Sequence, residues 1–595
     1  MLFKEFAKHL ADIEAVSSRL AITEKLAKLF SEVSSDEIKV IPYLLQGRVA
    51  PAFTGIEFGL AEKSVAKAAA AAFQLDPHDV QRYVSKTGDL GLAIETLRSE
   101  YSSLVEKDIT ILECFVEFEN ITKQSGAGSQ DAKSQILATL LSQADAISCR
   151  YLARIPLGAM RLGASDITIL DALSWMLKGD KSERVIIEKA YQVRPDLGHI
   201  CENIKKYGTK KIQEVTPVVG TPILMMRAER LSSGDEIVEK LGECVVEPKY
   251  DGFRLQIHMK DKSQIPNSCL TGRQAKSEIN SNIKIQKDEK EVQIFTRGLE
   301  NATHMYPDIV EAIKKDVLAE SCIIEGEALG FDEETGNFMP FQETIQRKRK
   351  HGVEDAAKRI PLRLMTFDVL YLDGKSIIGK PLVERKKILS KIISEKSKTI
   401  NLSPTEQISD PRKIEKLFDE YVTEGLEGIM AKKLDSVYKP GAREYSWVKL
   451  KRSYSSKVQD TIDCVVLGYD FGKGKRADFG IGAALLGVYD NKSDKYLTIS
   501  KMGTGLTDEE WKELRAKLRE QSLKSKPDYY DVKNEMVCDV WVEPHIVLEI
   551  RSDELTTSKL HTSGYGLRFP RLERFRSDKK PEDATSVEEI TKLAK

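Results

Sequence analysis

Glu247-Pro248-Lys249-Tyr250-Asp251-Gly252-Phe253-Arg254 is the stretch on which the reading of this chain turns. The apolar run Cys244-Val245-Val246 leads into it, and the alternating run Arg254-Leu255-Gln256-Ile257-His258-Met259 leads out. Both patterns predict strands, so Lys249 falls at the end of one strand, before a turn that Asp251-Gly252 can make. A lysine presented there can act as a nucleophile once its amine is uncharged. The free amine has a pKa of about 10.4, so the pocket has to lower it by desolvation or by neighbouring cations. A solvated lysine on a hairpin turn is the other reading of the same residues.

A chain of 595 residues has room for roughly three or four domains. Charged residues make up 31% and apolar ones 41%, an ordinary globular balance. Lys+Arg 91 against Asp+Glu 92 leaves a net charge of -1, so any nucleic-acid contact needs positive charge gathered on one face. The 8 cysteines, at 114, 149, 201, 244, 269, 322, 464 and 538, form no Cys-x-x-Cys pair. That argues against a zinc ribbon, and the length argues against a disulfide framework. The 8 histidines include no His-Glu-x-x-His. No apolar run is long enough to span a bilayer. Glu5, Asp12 and Glu14 lie among Phe3, Phe6 and Leu10 at helical spacing, which is not a signal peptide. The expectation is an intracellular, cytoplasmic protein with no membrane partner.

Residues 1–215 read as a helical domain, with three- and four-residue apolar spacing over Phe6–Phe30, Ala61–Leu75 and Lys133–Leu152. The loop Ser125-Gly126-Ala127-Gly128-Ser129-Gln130 can leave backbone N–H groups for a phosphate, or serve as a connector. Arg150, Arg154 and Arg161 read as solvated or paired surface charges. Pro217, Gly220 and Pro222 mark a boundary. Residues 216–450 read as α+β, with strands near 244–248, 253–260, 291–296, 322–331, 361–372, 428–434 and 445–451, and helices over 307–320, 383–395 and 411–424. The polar stretch 261–290 reads as an inserted loop or hairpin extension. Residues 451–595 carry short strands with Gly-rich turns and one helix over 508–520, the pattern of a five-stranded OB-fold barrel.

Lys249-Tyr250-Asp251-Gly252 resembles the adenylation motif of the covalent nucleotidyltransferases, and further matches follow it in family order. They are Phe295-Thr296-Arg297-Gly298, Glu325-Gly326-Glu327-Ala328, Phe367-Asp368-Val369-Leu370-Tyr371, Glu427-Gly428-Ile429-Met430-Ala431-Lys432, Arg443 with Trp447-Val448-Lys449-Leu450-Lys451, and Arg568-Phe569-Pro570-Arg571 with Arg574, Asp578 and Lys579. Singly, each has a bland reading as surface charge or core. In order, they resemble an ATP-dependent DNA ligase of the archaeal and eukaryotic replicative type over nearly the whole chain. The Ser125–Gln130 loop and Arg161-Leu162-Gly163 resemble that family's helical DNA-binding domain.

The resemblance implies that Lys249 becomes a lysine–AMP, with Glu247, Arg254, Arg297, Glu327, Phe367, Arg443, Lys449, Lys451 and Arg571 contacting the nucleotide. Phe367 would stack on adenine, and Glu327 and Glu427 would hold Mg²⁺. Lys449, Lys451 and Arg571 would stabilise charge built up on the phosphates. ATP and Mg²⁺ are the implied cofactors, a nick in duplex DNA the implied substrate, and replication, repair and recombination the implied settings. The chain is expected to act as a monomer. A sliding clamp is a partner by resemblance only, since no Gln-x-x-aliphatic-x-x-aromatic-aromatic peptide is present. An mRNA capping guanylyltransferase or an RNA ligase shares Lys-x-Asp-Gly, but the long helical N-terminal third speaks against both. The missing zinc cysteines disfavour an NAD-dependent ligase. Intact Lys249, Glu427 and Lys449 disfavour a non-catalytic DNA clamp.

Overall fold

The computed structural model describes residues 1–100, 106–261, 290–349, 351–424, 426–451, 461–472, 480–503, 506–519, 521–552, 554–558, 560–568 and 570–594. Residues 1–230 with 234–449 form one compact unit, and 450–595 with 231–233 form a second. Among the described residues no helix is long and apolar enough to cross a membrane.

The first unit begins with helices that run from Phe3 to Ile212. Their apolar stripes explain them. In the helix Phe3–Glu14 the buried residues are Phe3, Phe6, Ala7, Leu10 and Ile13, one face of a 3.6-residue period. The alanine run in Glu62–Phe73 packs Val65, Ala66, Ala68, Ala69, Ala70, Ala72 and Phe73 into the same core. The arginines expected at the surface are partly internal. Arg154 is buried, its guanidinium 2.8 Å from Asp89 and 2.9 Å from Glu14, and Arg150 pairs with Glu95. Arg161 reaches Asp89 at 3.4 Å from a left-handed backbone, φ +57°. Gly126 and Gly128 take positive φ ahead of the helix Ser129–Gln143, but Lys133 is buried and donates to the Phe58 carbonyl at 2.7 Å.

Two sheets follow. We label their strands β1 (Arg227–Arg230), β2 (Cys244–Lys249), β3 (Phe253–Asp261), β4 (Lys290–Thr296), β5 (Ser321–Gly330), β6 (Leu362–Leu372), β7 (Lys375–Ser376), β8 (Ile400–Leu402), β9 (Glu406–Ile408), β10 (Gly428–Lys433) and β11 (Arg443–Lys451). One sheet has the order β1-β11-β10-β2-β9; the other runs β4-β3-β5-β6-β7, with β8 on β6. Asp261 and Lys290 pair directly across β3 and β4, so the insertion joins neighbouring strands; residues 262–289 lie outside the described ones. The helix expected over 307–320 stops at Asp316, where Val317 turns extended to bridge Ile393.

β3 has two faces with different duties. Leu255, Ile257 and Met259 enter the core beneath the second sheet. Arg254, Gln256 and His258, on the other face, hold the connector that arrives from the helices. The Gly220 N–H donates to His258 Nδ1 at 3.0 Å, the Ile223 N–H donates to Gln256 Oε1 at 2.7 Å, and Arg254 donates to the Met226 carbonyl at 2.6 Å.

In the second unit the expected OB-fold is present as a curled, strand-rich domain: among the described residues an eight-stranded sheet, larger than the five strands expected, surrounds a core built on Val466, Leu486, Ile499, Leu548 and Ile550. The hairpin Glu554–Thr557 with Tyr565–Arg568 adds two more strands, and the helix Asp508–Arg519 packs Trp511, Leu514 and Leu518 into the core.

Candidate active site

Strand alternation builds the floor of a cleft between the two sheets of the first unit. Glu247 and Lys249 share one face of β2. The antiparallel register sets Glu247 opposite Met430 and Lys249 opposite Gly428, so Met430 and Lys432 of β10 join that face. On β11 the same alternation aligns Arg443, Trp447 and Lys449. The facing sheet adds Arg254, Glu327 and Phe367, with Arg297 in the turn after β4. These groups enclose a cavity of about 170 Å³.

Lys249 is held inside it, with its side chain 19% exposed. Its Nζ donates to the Tyr250 carbonyl at 3.2 Å and is ion-paired with the Glu427 carboxylate. The Glu427 N–H donates back to the Lys249 carbonyl at 3.0 Å, so backbone and side chain both tie the end of β2 to the start of β10. Gly428 makes this possible with φ +139°, where other residues are strained. Gly252 serves differently. Its φ is not positive; a Cβ there would lie 2.4 Å from the Ala328 carbonyl oxygen and 3.1 Å from Glu327 Cγ. The glycine of Lys-x-Asp-Gly is therefore a close-approach residue between strands as well as part of the turn.

The partner found on Nζ is a carboxylate, whereas the sequence reading looked to desolvation or neighbouring cations. The cations gather elsewhere in the cleft. Burial, and then the neighbouring Arg254, Arg227 and Arg443, push the Arg297 pKa down, with Glu327 opposing. A guanidinium with three others crowded around it makes a site that an anion would relieve. Burial pushes the Glu327 carboxyl up to about 7, against Lys249, Arg254 and the Gly252 N–H, while Glu427 adds to the rise.

Several expected contacts have other duties as well. Glu247 is buried, with Oε2 2.7 Å from Lys432 and Oε1 paired with Lys386. Arg254 donates to Glu325 at 2.8 Å as well as to Met226, and its guanidinium lies 5.4 and 5.5 Å from the Phe367 and Trp447 ring centres. Phe367 packs edge-on against Trp447, 6.2 Å between centroids. Lys451 and Arg571 belong to the second unit. There Lys579 donates to Asp463 at 2.6 Å, and Asp578, pushed down to about 2 by its hydrogen bond from Arg576, is engaged too.

Sequence reasoning missed Arg227, Lys432 and Tyr250 as cleft residues. Arg227 sits opposite Arg443 in the parallel β1–β11 pair, which nothing local announces. Lys432 was quoted within its motif without a role.

The residues suit a divalent cation. Among the described residues no three His, Cys, Asp or Glu side chains cluster. Glu327 and Glu427 nonetheless flank one amine and feel each other's charge. Mg²⁺ commonly takes one or two protein carboxylates and completes its shell with water and substrate phosphates.

Three family descriptions match the chain: DNA ligase N terminus over 2–174, ATP dependent DNA ligase domain over 281–451, and ATP dependent DNA ligase C terminal region over 477–579. A probable DNA ligase of Dictyoglomus turgidum is 43% identical over 601 residues, covering 100% of this chain and 97% of its own. The chain belongs to the ATP-dependent DNA ligase family. A DNA ligase of Aeropyrum pernix is 37% identical over 622 residues, with 100% and 98% covered. The solved chain Pmar-Lig_Pre. shares 16% identity and a TM-score of 0.53 over 96% of this ligase and 98% of itself, a likeness of fold. Membership sets aside the capping guanylyltransferase and the RNA ligase, and makes ATP the nucleotide and DNA the substrate of this ligase. Lys249 lies before the residues matched by the central description but within the full-length alignments.

Proposed function

We propose that Lys249 is the residue this ligase adenylates, and that the cleft around it binds ATP. The observation that carries this reading is the half-buried amine against Glu427 in a cavity lined by Arg297 and by Arg227, Arg254 and Arg443 gathered around it. In the first step the Lys249 ammonium gives one proton to the Glu427 carboxylate beside it and on to water, the neutral amine forms a bond to the α-phosphorus as the bond to pyrophosphate breaks, and the second proton leaves the nitrogen for water. Arg227, Arg297, Arg443 and Lys449 bind the phosphates, and Phe367 with Trp447 shapes the base slot. Glu327 and Glu427 would hold Mg²⁺, which supplies charge neutralisation on the phosphate oxygens. In the second step the 5′-phosphate at a nick takes AMP and Lys249 is freed. In the third, the 3′-hydroxyl displaces AMP and closes the strand.

Arg571 and Lys451 serve the first step from the second unit, and residues 1–215, 216–450 and 451–595 act as DNA-binding, adenylation and OB domains. The ligase works as a cytoplasmic monomer, and a sliding clamp is its docking partner by family likeness. Incubation with ATP labelled in the α-phosphate tests the assignment: wild type takes up label stable to denaturation, and Lys249→Ala takes up none while melting at the wild-type temperature. Label persisting in Lys249→Ala would assign the nucleophile elsewhere. Sealing of a nicked duplex with ATP, and not with NAD, tests the whole reaction.

A further inference from the structure

Lys432 lines the cleft, yet the steps above give it no task. It is 1% exposed, which is rare for a lysine unless it is paired. Its surroundings account for its donors. An ammonium has three N–H groups. Nζ donates to Glu247 Oε2 at 2.7 Å, and the ring centres of Trp447 and Phe367 lie 4.2 and 4.6 Å away. One carboxylate oxygen and two π faces match three donors, which leaves Lys432 spent on the walls of the slot. The other oxygen of Glu247 is paired with Lys386. Glu247 is thus clamped between two cations at the edge of the aromatic slot, and an ionised carboxylate offers acceptors only.

That matters for a purine. A 6-amino group is a donor and suits such a carboxylate; a 6-oxo group is an acceptor and is opposed by it. We propose that Lys432 is a positioning residue for base selection: it holds Glu247 as an acceptor-only contact beside Phe367 and Trp447, and so makes the cleft take a 6-amino purine nucleotide and reject a 6-oxo one. The proposal rests on the nucleotide-binding reading of the cleft. Burial and the nearby Lys386 push the Lys432 pKa down to about 8, with Glu247 and Asp368 opposing, so the ammonium is present at pH 7. Without it, Glu247 is left buried with one cation in place of two. The carboxylate can then turn toward Lys386, and the acceptor that opposes a 6-oxo group is no longer fixed at the base edge.

The test compares ATP with ITP, which differ along one purine edge: a 6-amino group beside an unprotonated N1 in ATP, a 6-oxo group beside an N1–H in ITP. Formation of the protein–nucleotide adduct is followed by intact-protein mass at pH 7 for wild type, Lys432→Met, Lys432→Gln and Lys432→Arg. Wild type is expected to prefer ATP in kcat/KM. Lys432→Met and Lys432→Gln should narrow that preference at least tenfold, and Lys432→Arg, which keeps the charge, should restore most of it. Two neutral variants guard against one that fails to fold. An unchanged ATP-to-ITP ratio in a folded neutral variant overturns the proposal, however far both rates fall. If wild type forms no adduct with ATP, the reading of the cleft itself is what has failed.

Discussion

Replacing Gly252 with alanine probes the tightest crossing in the candidate active site. The added Cβ would stand 2.4 Å from the Ala328 carbonyl oxygen and 3.0 Å from Leu329 Cγ. A carbon–oxygen contact relaxes to roughly 3.3 Å, so β3 and β5 would have to separate by about 0.9 Å at this point. The obstacle is backbone tied on both sides, Ala328 pairing with Phe253 on β3 and with Leu364 on β6, so the movement falls instead on the turn that follows Lys249. A misplacement of about 1 Å at a reacting group costs on the order of 10²-fold in rate, and overpacking costs about 1–3 kcal/mol of stability. Single-turnover formation of the adduct from ATP, read by intact mass, measures the first; thermal unfolding measures the second. Gly252→Asn separates space from conformation: asparagine tolerates left-handed backbone better than alanine, yet is larger. Steric exclusion predicts the order Gly, Ala, Asn in falling rate. An Asn variant faster than the Ala one, or an Ala variant at the wild-type rate, would refute the close-approach argument.

Glu327→Gln and Glu427→Gln should each raise the Mg²⁺ concentration needed for half-maximal adduct formation several-fold, since each removes a hard anionic ligand; equal Mg²⁺ titrations in variants and wild type would remove both residues from the metal site. His258 should make the protein acid-sensitive. Burial pushes its pKa down from 6.5 to about 3, and the Gly220 N–H already occupies Nδ1, leaving no room for a second proton. Between these values the unfolded chain binds a proton that the folded one refuses, so this stability is complete above about 6.5 and lost as pH falls toward 3. Urea midpoints at pH 7 and pH 5 should differ more in wild type than in His258→Asn, and an equal difference would count against the titration.

What was legible in the sequence follows from period and position. The apolar run before Lys249 and the alternating run after Gly252 marked two strands, and the ordered motifs named most of the residues that line the cleft from both sheets. What stayed hidden depends on register between distant strands. Only the pairing of β10 with β2 turns Lys432 inward toward Glu247, whereas a lysine in a polar dipeptide reads as solvated. Only the parallel β1–β11 pair makes Arg227 a neighbour of Arg443. The Glu427 carboxylate was read for a metal and not as the partner of Lys249, because that contact is made by strand ends far apart in the chain. Gly252 was legible as a glycine that matters, for a reason that needed three dimensions.

The double duty of β3 sets a rule for how this ligase can change over evolutionary time. Losing or gaining a single residue within Phe253–Asp261 would exchange its faces, sending Gln256 and His258 into the oily interior and Ile257 out to the connector. Length variation in this region therefore has one tolerant outlet, beyond the Asp261–Lys290 pair, which is where this chain carries its long polar insertion.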